Sequence, residues 1–124
     1  MKILIVEDSP AQRLLYEDML TDLGHEVHVV SNFTDAADRL ISSLVFDLAL
    51  IDTELNKTEP REYGFDLAPF CQRHNTPFIG MSLANAEIQW LGCGACGFLC
   101  KPFTPEALEA AIAKVAALPR LFKP

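Results

Sequence analysis

The chain alternates between two hydrophobic rhythms. Short, largely apolar strand-like runs fall at residues 3–6, 27–30, 48–51, 77–82 and 97–101, the last two closing on the polar Ser82 and Lys101. Leu48, Ala49, Leu50 and Ile51 follow one another with no polar residue between them, and Asp52 closes that run. An unbroken run of this length predicts a strand buried on both faces. Between the runs, apolar residues return every three or four positions. Ser9 is a good N-cap, Pro10 suits the first helical position, and Gln12 can complete a capping box. Leu15, Met19 and Leu23 form the stripe of that first helix, and Gly24 ends it. A second helix starts at Asn32 or Thr34 and runs to about Ser43, with Ala36, Leu40 and Leu44 on one face.

The segment 53–63 is polar, contains Pro60 and is expected as a long loop. Residues 64–74 predict a third helix, provided Pro69 falls in its first turn. A short fourth helix is expected over 84–91. Thr104, Pro105 and Glu106 open the last helix, with Leu108, Ile112 and Val115 as its stripe. Strand and helix thus alternate five times. Right-handed crossovers then dictate an α/β fold, a five-stranded parallel sheet with helices on both faces. Residues 1–118 form one domain, and 119–124 are a tail or the start of a linker.

The 124 residues carry a formal net charge of −7. That acidity argues against a nucleic-acid surface, which needs clustered Lys and Arg. No apolar run is long enough to span a bilayer. Acids at Glu7 and Asp8 come too early for a signal peptide. A cytoplasmic location is therefore expected, with Cys71, Cys93, Cys96 and Cys100 reduced.

In a parallel sheet, strand ends of one sense share an edge. Glu7, Asp8, Asp52, Ser82 and Lys101 converge there, where open α/β sheets bind their ligands. Each alone has a bland explanation: a loop cap, a turn residue or a solvated charge. Together they pose an electrostatic problem. Two like charges ~5 Å apart at an effective dielectric of ~20 repel by roughly 3 kcal/mol. Lys101 supplies one compensating charge, and a hard divalent cation such as Mg²⁺ or Mn²⁺ supplies the rest. With such an ion a carboxylate can take up a phosphoryl group, and Lys101 and Ser82 can hold its remaining oxygens.

The segments Ile3-Leu4-Ile5-Val6-Glu7-Asp8-Ser9-Pro10, Phe46-Asp47-Leu48-Ala49-Leu50-Ile51-Asp52, Met81-Ser82 and Lys101-Pro102-Phe103 resemble the receiver domains of two-component response regulators. The resemblance covers nearly the whole chain. It implies the flavodoxin-like strand order 2-1-3-4-5, for which a receiver is a standard example. It implies Asp52 as phosphoacceptor. The metal ligands it implies are Asp8, Asp52, Glu7 through water, and the carbonyl of Glu54. Ser82 and Lys101 become phosphoryl sensors, and Phe98 an aromatic switch on the fifth strand. The implied partners are a sensor histidine kinase or phosphotransfer protein upstream and a target protein or output domain downstream. The output face is built from helix four, strand five and helix five, which is also where a homodimer would form. Such a domain is a signalling switch that catalyses only its own phosphorylation and hydrolysis, not a metabolic enzyme.

Three features depart from the family pattern. The loop after Asp52 is long, with Asn56 where Pro is common. The stretch from Ser82 to Gly94 is short. Leu83 follows Ser82 where Ala or Gly is usual, and its bulk narrows phosphodonor access or slows hydrolysis. These departures support a rival reading, a pseudo-receiver that binds proteins without using Asp52. A flavodoxin-type electron carrier is disfavoured, because acids at Glu7 and Asp8 occupy the place of a phosphate-binding loop. Cys71, His74, Cys93 and Cys96 have zinc-compatible spacings. Small buried residues are the simpler account of them.

Overall fold

The computed structural model describes residues 1–119. The elements are β1 (Lys2–Val6), α1 (Pro10–Asp22), β2 (Glu26–Val30), α2 (Phe33–Ile41), β3 (Leu48–Asp52), β4 (Glu54–Asn56), β5 (Glu62–Tyr63), α3 (Ala68–Arg73), β6 (Phe78–Ser82), α4 (Glu87–Gly92), β7 (Gly97–Cys100) and α5 (Pro105–Ala116). Five strands pair in parallel in the order β2-β1-β3-β6-β7, the expected 2-1-3-4-5 arrangement. The expected tail lies, beyond Pro119, outside the described residues.

Strand alternation divides the core in two. Leu4, Val6, Ala49, Ile51 and Phe78 pack toward α2, α3 and α4 through Leu40, Cys71 and Trp90. Ile3, Ile5, Leu48, Leu50 and Met81 pack toward α1 and α5 through Leu20, Leu108 and Ile112. Helices on both faces explain why β3 carries no polar residue before Asp52: all five of its residues are buried.

Local chemistry sets most boundaries. Ser9 caps α1 by accepting from the Gln12 N–H, with Pro10 in the first turn. Asn32, not Thr34, caps α2, which stops at Ile41. Thr104 caps α5, and Leu108, Ile112 and Val115 are buried as expected. The inner face of α1 differs from the expected stripe. Tyr16 and Leu20 are buried while Leu15 is 49% exposed. The helix turns Gln12, Tyr16 and Leu20, spaced by four, toward the sheet, and Tyr16 stacks on Phe103 with ring centroids 5.0 Å apart. Gln12 likewise makes no reciprocal cap, since its side chain serves the cleft described below.

Two further corrections concern the second half. Part of the expected loop 53–63 is a small antiparallel pair, β4 with β5. β4 does alternate, with Leu55 buried between Glu54 and Asn56, but a single apolar residue is too short a run to carry a periodic signal. The third helix opens as a 3₁₀ turn at Gly64–Leu67 and becomes α-helical only at Ala68, so Pro69 does fall in the first turn. The fourth helix is shorter than the expected 84–91 and shifted along the chain: it runs Glu87–Gly92, six residues.

Candidate functional site

The carboxyl ends of β1, β3, β6 and β7 form one edge of the sheet, and a cleft opens there. Glu7, Asp8, Asp52, Glu54, Ser82 and Lys101 all line it, with Gln12, Lys57 and Leu83. The five polar residues expected at this edge are therefore together. Glu54 sits on β4 beside them, while Phe98 lies behind, half-buried against the α2–α4 core.

Lys101 is the hub. Its Nζ donates to Glu7 Oε1 at 2.5 Å, to Gln12 Oε1 at 2.7 Å and to Asp52 Oδ1 at 2.9 Å. All three protons of the ammonium are used. The ion pairs are buried, with side-chain exposures of 6% for Lys101, 1% for Glu7 and 10% for Asp52. Gln12 is itself held by the Tyr16 hydroxyl at 3.1 Å. Arg13 fixes the loop after β1 by donating to the carbonyls of Glu7 at 2.9 Å and Asp8 at 3.0 Å.

The charges do not balance. Glu7, Asp8 and Asp52 each offer a carboxylate oxygen within 4.8 Å of the others. Three carboxylates against one ammonium leave two negative charges. Burial pushes the Glu7 carboxyl above its usual range, and Asp52 adds to that against the pull of Lys101. Asp8 is raised by partial burial and then by Glu7, with Lys57 opposing. Burial works to lower the Lys101 pKa, but its hydrogen bonds to Glu7 and Asp52 outweigh that and hold it above the ordinary value. An all-oxygen donor set with two charges in excess fits a hard divalent cation.

The Ser82 side is different. Its hydroxyl accepts only from the Ala84 N–H, at 3.3 Å, within its own loop. Ser82 and Lys101 meet instead through the backbone, where the Lys101 N–H donates to the Ser82 carbonyl at 2.8 Å. Leu83 stands at the mouth, 68% exposed.

The response regulator receiver domain family matches residues 3–113. The chain belongs to that family. The PhoP two-component response regulator of Pseudomonas aeruginosa is 34% identical over 117 residues, covering 89% of this chain and 49% of PhoP. The sensor histidine kinase GacS of Pseudomonas protegens is 28% identical over 123 residues, covering 94% of this chain and 13% of GacS. The chain thus spans half or less of these curated relatives. Solved receivers share the fold. An N-terminal domain from a three-domain regulator of Carboxydothermus hydrogenoformans superposes with a TM-score of 0.81 at 24% identity, covering 93% of both chains. The receiver domain of a Pseudomonas aeruginosa sensor kinase, solved with magnesium coordinated in its active-site cleft, gives 0.78 at 22% identity, covering 94% of this chain and 98% of that one.

This receiver is not a classical enzyme but a module of two-component signalling. Among the described residues no helix is long and apolar enough to cross a membrane.

Sequence reasoning did not place Gln12 or Lys57 at the cleft, nor did it give Arg13, Thr53 or Trp90 their supporting contacts around it. For Gln12 the signal was present, because it shares with Tyr16 and Leu20 the inner face of α1. The account of the cysteines as small buried residues holds for Cys71 alone: Cys93 is half-buried, and Cys96 and Cys100 are exposed. Among the described residues the one group of three or more such ligands close enough for a metal is Glu7, Asp8 and Asp52. Burial pushes the Cys71 thiol up to about 12, away from the thiolate that zinc needs. The end of α3 does meet the turn before β7, but through Gln72 Nε2 donating to the Cys93 carbonyl at 2.8 Å.

Proposed function

We propose that this receiver is a phosphorylation-dependent switch with Asp52 as its phosphoacceptor. The buried contact of Lys101 with both Glu7 and Asp52 carries the reading. It holds Asp52 through Oδ1, at an edge where Glu7, Asp8 and Asp52 each offer an oxygen within 4.8 Å of the others. The donor is a phosphohistidine on a sensor histidine kinase or a phosphotransfer protein. The Asp52 carboxylate oxygen attacks phosphorus, the phosphorus–nitrogen bond breaks, and the donor imidazole leaves. Asp8, Asp52, Glu7 through water and the Glu54 carbonyl hold Mg²⁺ or Mn²⁺. The ion, when bound, offsets the negative charge that gathers on the phosphoryl oxygens.

Lys101 and Ser82 take the remaining phosphoryl oxygens. For Ser82 this means leaving its bond to Ala84 N–H, which moves the loop before α4. Phe98 then changes rotamer, and the face of α4, β7 and α5 alters for a target protein, an output domain or a second copy of the chain. The domain extends over residues 1–118, and its setting is the cytoplasm. Phosphorylation from a small phosphodonor, followed by intact mass, tests this. A Mg²⁺-dependent phosphoryl mass gain in the wild type, absent in Asp52→Ala, is the expected result. A wild type that gains no mass supports the second reading, a phosphorylation-independent protein-binding module, which Leu83 at the mouth and the β4–β5 pair favour.

A further inference from the structure

Trp90 is the chain's single tryptophan and has no exposed surface, although its helix is only six residues long. A buried indole N–H needs an acceptor. Here it donates from Nε1 to Thr53 Oγ1 at 2.9 Å. Thr53 is the residue directly after Asp52. Its hydroxyl donates onward to the Met81 carbonyl at 2.7 Å, and its backbone N–H donates to the same carbonyl at 2.9 Å. Met81 directly precedes Ser82. One hydroxyl therefore joins α4 to the ends of β3 and β6.

The surroundings are shaped for this contact. Gly80 makes room for the indole, since a Cβ there would come within 2.1 Å of the ring. Gly64 packs against the Asp52–Thr53 backbone itself. Its N–H donates to the Thr53 carbonyl at 2.7 Å, and a Cβ there would stand 2.0 Å from the Asp52 carbonyl oxygen. Phe65 packs on the indole with ring centroids 4.7 Å apart.

We propose that Trp90 is a positioning residue for the Asp52 cleft, acting through the Thr53 hydroxyl. It fixes the backbone from Asp52 to Glu54 in the setting that cation and phosphoryl binding require. By linkage, filling the cleft must bias α4 equally. This rests on the phosphoacceptor reading above.

Three variants test it: Thr53→Val, which keeps the shape and removes the hydroxyl; Trp90→Phe, which keeps an aromatic ring and removes the N–H; and Thr53→Ser, which restores the hydroxyl. Calorimetric titration with Mg²⁺ and the rate of mass gain at saturating phosphodonor are measured for each. Thr53→Val should weaken Mg²⁺ binding by roughly fivefold or more, the lower end of coupling between linked sites. Trp90→Phe should move it in the same direction and less. Thr53→Ser should recover to within about twofold of the wild type on the same scale. Unchanged Mg²⁺ binding and rate in Thr53→Val and Trp90→Phe, with only lowered melting temperatures, would show a purely structural indole and overturn the proposal. A wild type that neither binds Mg²⁺ nor gains mass would overturn the phosphoacceptor reading itself, and this one with it.

Discussion

The two flanks of Asp52 are built on opposite principles. On the β1–β7 flank, Glu7 and Lys101 are buried and every Lys101 proton has an acceptor. On the β6–α4 flank, Ser82 is half-buried with its hydroxyl tied only to its own loop, and Leu83 faces solvent. Preorganised charge is worth most where it need not move during a reaction. A group that must report a new phosphate has to have somewhere to move from. The rigid flank suits holding charge, and the loose flank suits sensing a change in it.

Removing the hub should do the most damage. Lys101→Met leaves Glu7 and Asp52 facing one another without their counterion, and removing one partner of a buried pair costs about 3 kcal/mol. Urea unfolding should show that loss, and Mg²⁺ in the buffer should recover part of it by binding only the folded cleft. Equal losses with and without Mg²⁺ would break the idea that charge is what this flank stores. Next comes the root of α4. Gly80→Ala forces a methyl against the Trp90 ring, and overpacking of this kind destabilises by about 2 kcal/mol. Thermal melts would check it, and an unchanged midpoint would mean that α4 is as loose at its root as at the mouth.

The loose flank should behave otherwise. Ser82→Ala should alter stability by less than about 0.5 kcal/mol, as expected of a side chain without buried partners. The same change should slow the phosphoryl mass gain roughly tenfold, below the usual loss of a charge-stabilising donor because Lys101 remains. A large stability loss with an unaltered rate would reverse the roles of the two flanks. Leu83→Ala should have the smallest effect. Loss of the phosphoryl group from Asp52 should quicken about threefold as water gains access, measured by the decay of the phosphorylated mass.

The contrast between the flanks also separates what was legible in the sequence from what was not. The strand order and the gathering of Glu7, Asp8, Asp52, Ser82 and Lys101 followed from buried runs that each end in a polar residue, because strand parity and parallel order leave few places for those ends. The inner face of α1 was read only in part: Met19 packs on the core as the stripe expects, but Leu15 is exposed and Tyr16 is the residue that packs on Phe103. Local spacing cannot express a partner 87 positions away, as 103 − 16 shows. The same limit hid the Trp90–Thr53 bond, whose partners lie 37 residues apart. β4 and β5 escaped notice because three- and two-residue strands carry no period.

The central claim is that the acidic cleft around Asp52 recruits a divalent cation. Titrating Mg²⁺ into ¹⁵N-labelled protein while following backbone amides and the single indole N–H tests it most directly. Saturable shifts at Glu7, Asp8 and residues 52–54, carried to the Trp90 indole and lost in Asp52→Ala, are the predicted result. A spectrum that stays unchanged at those positions through millimolar Mg²⁺ would contradict it.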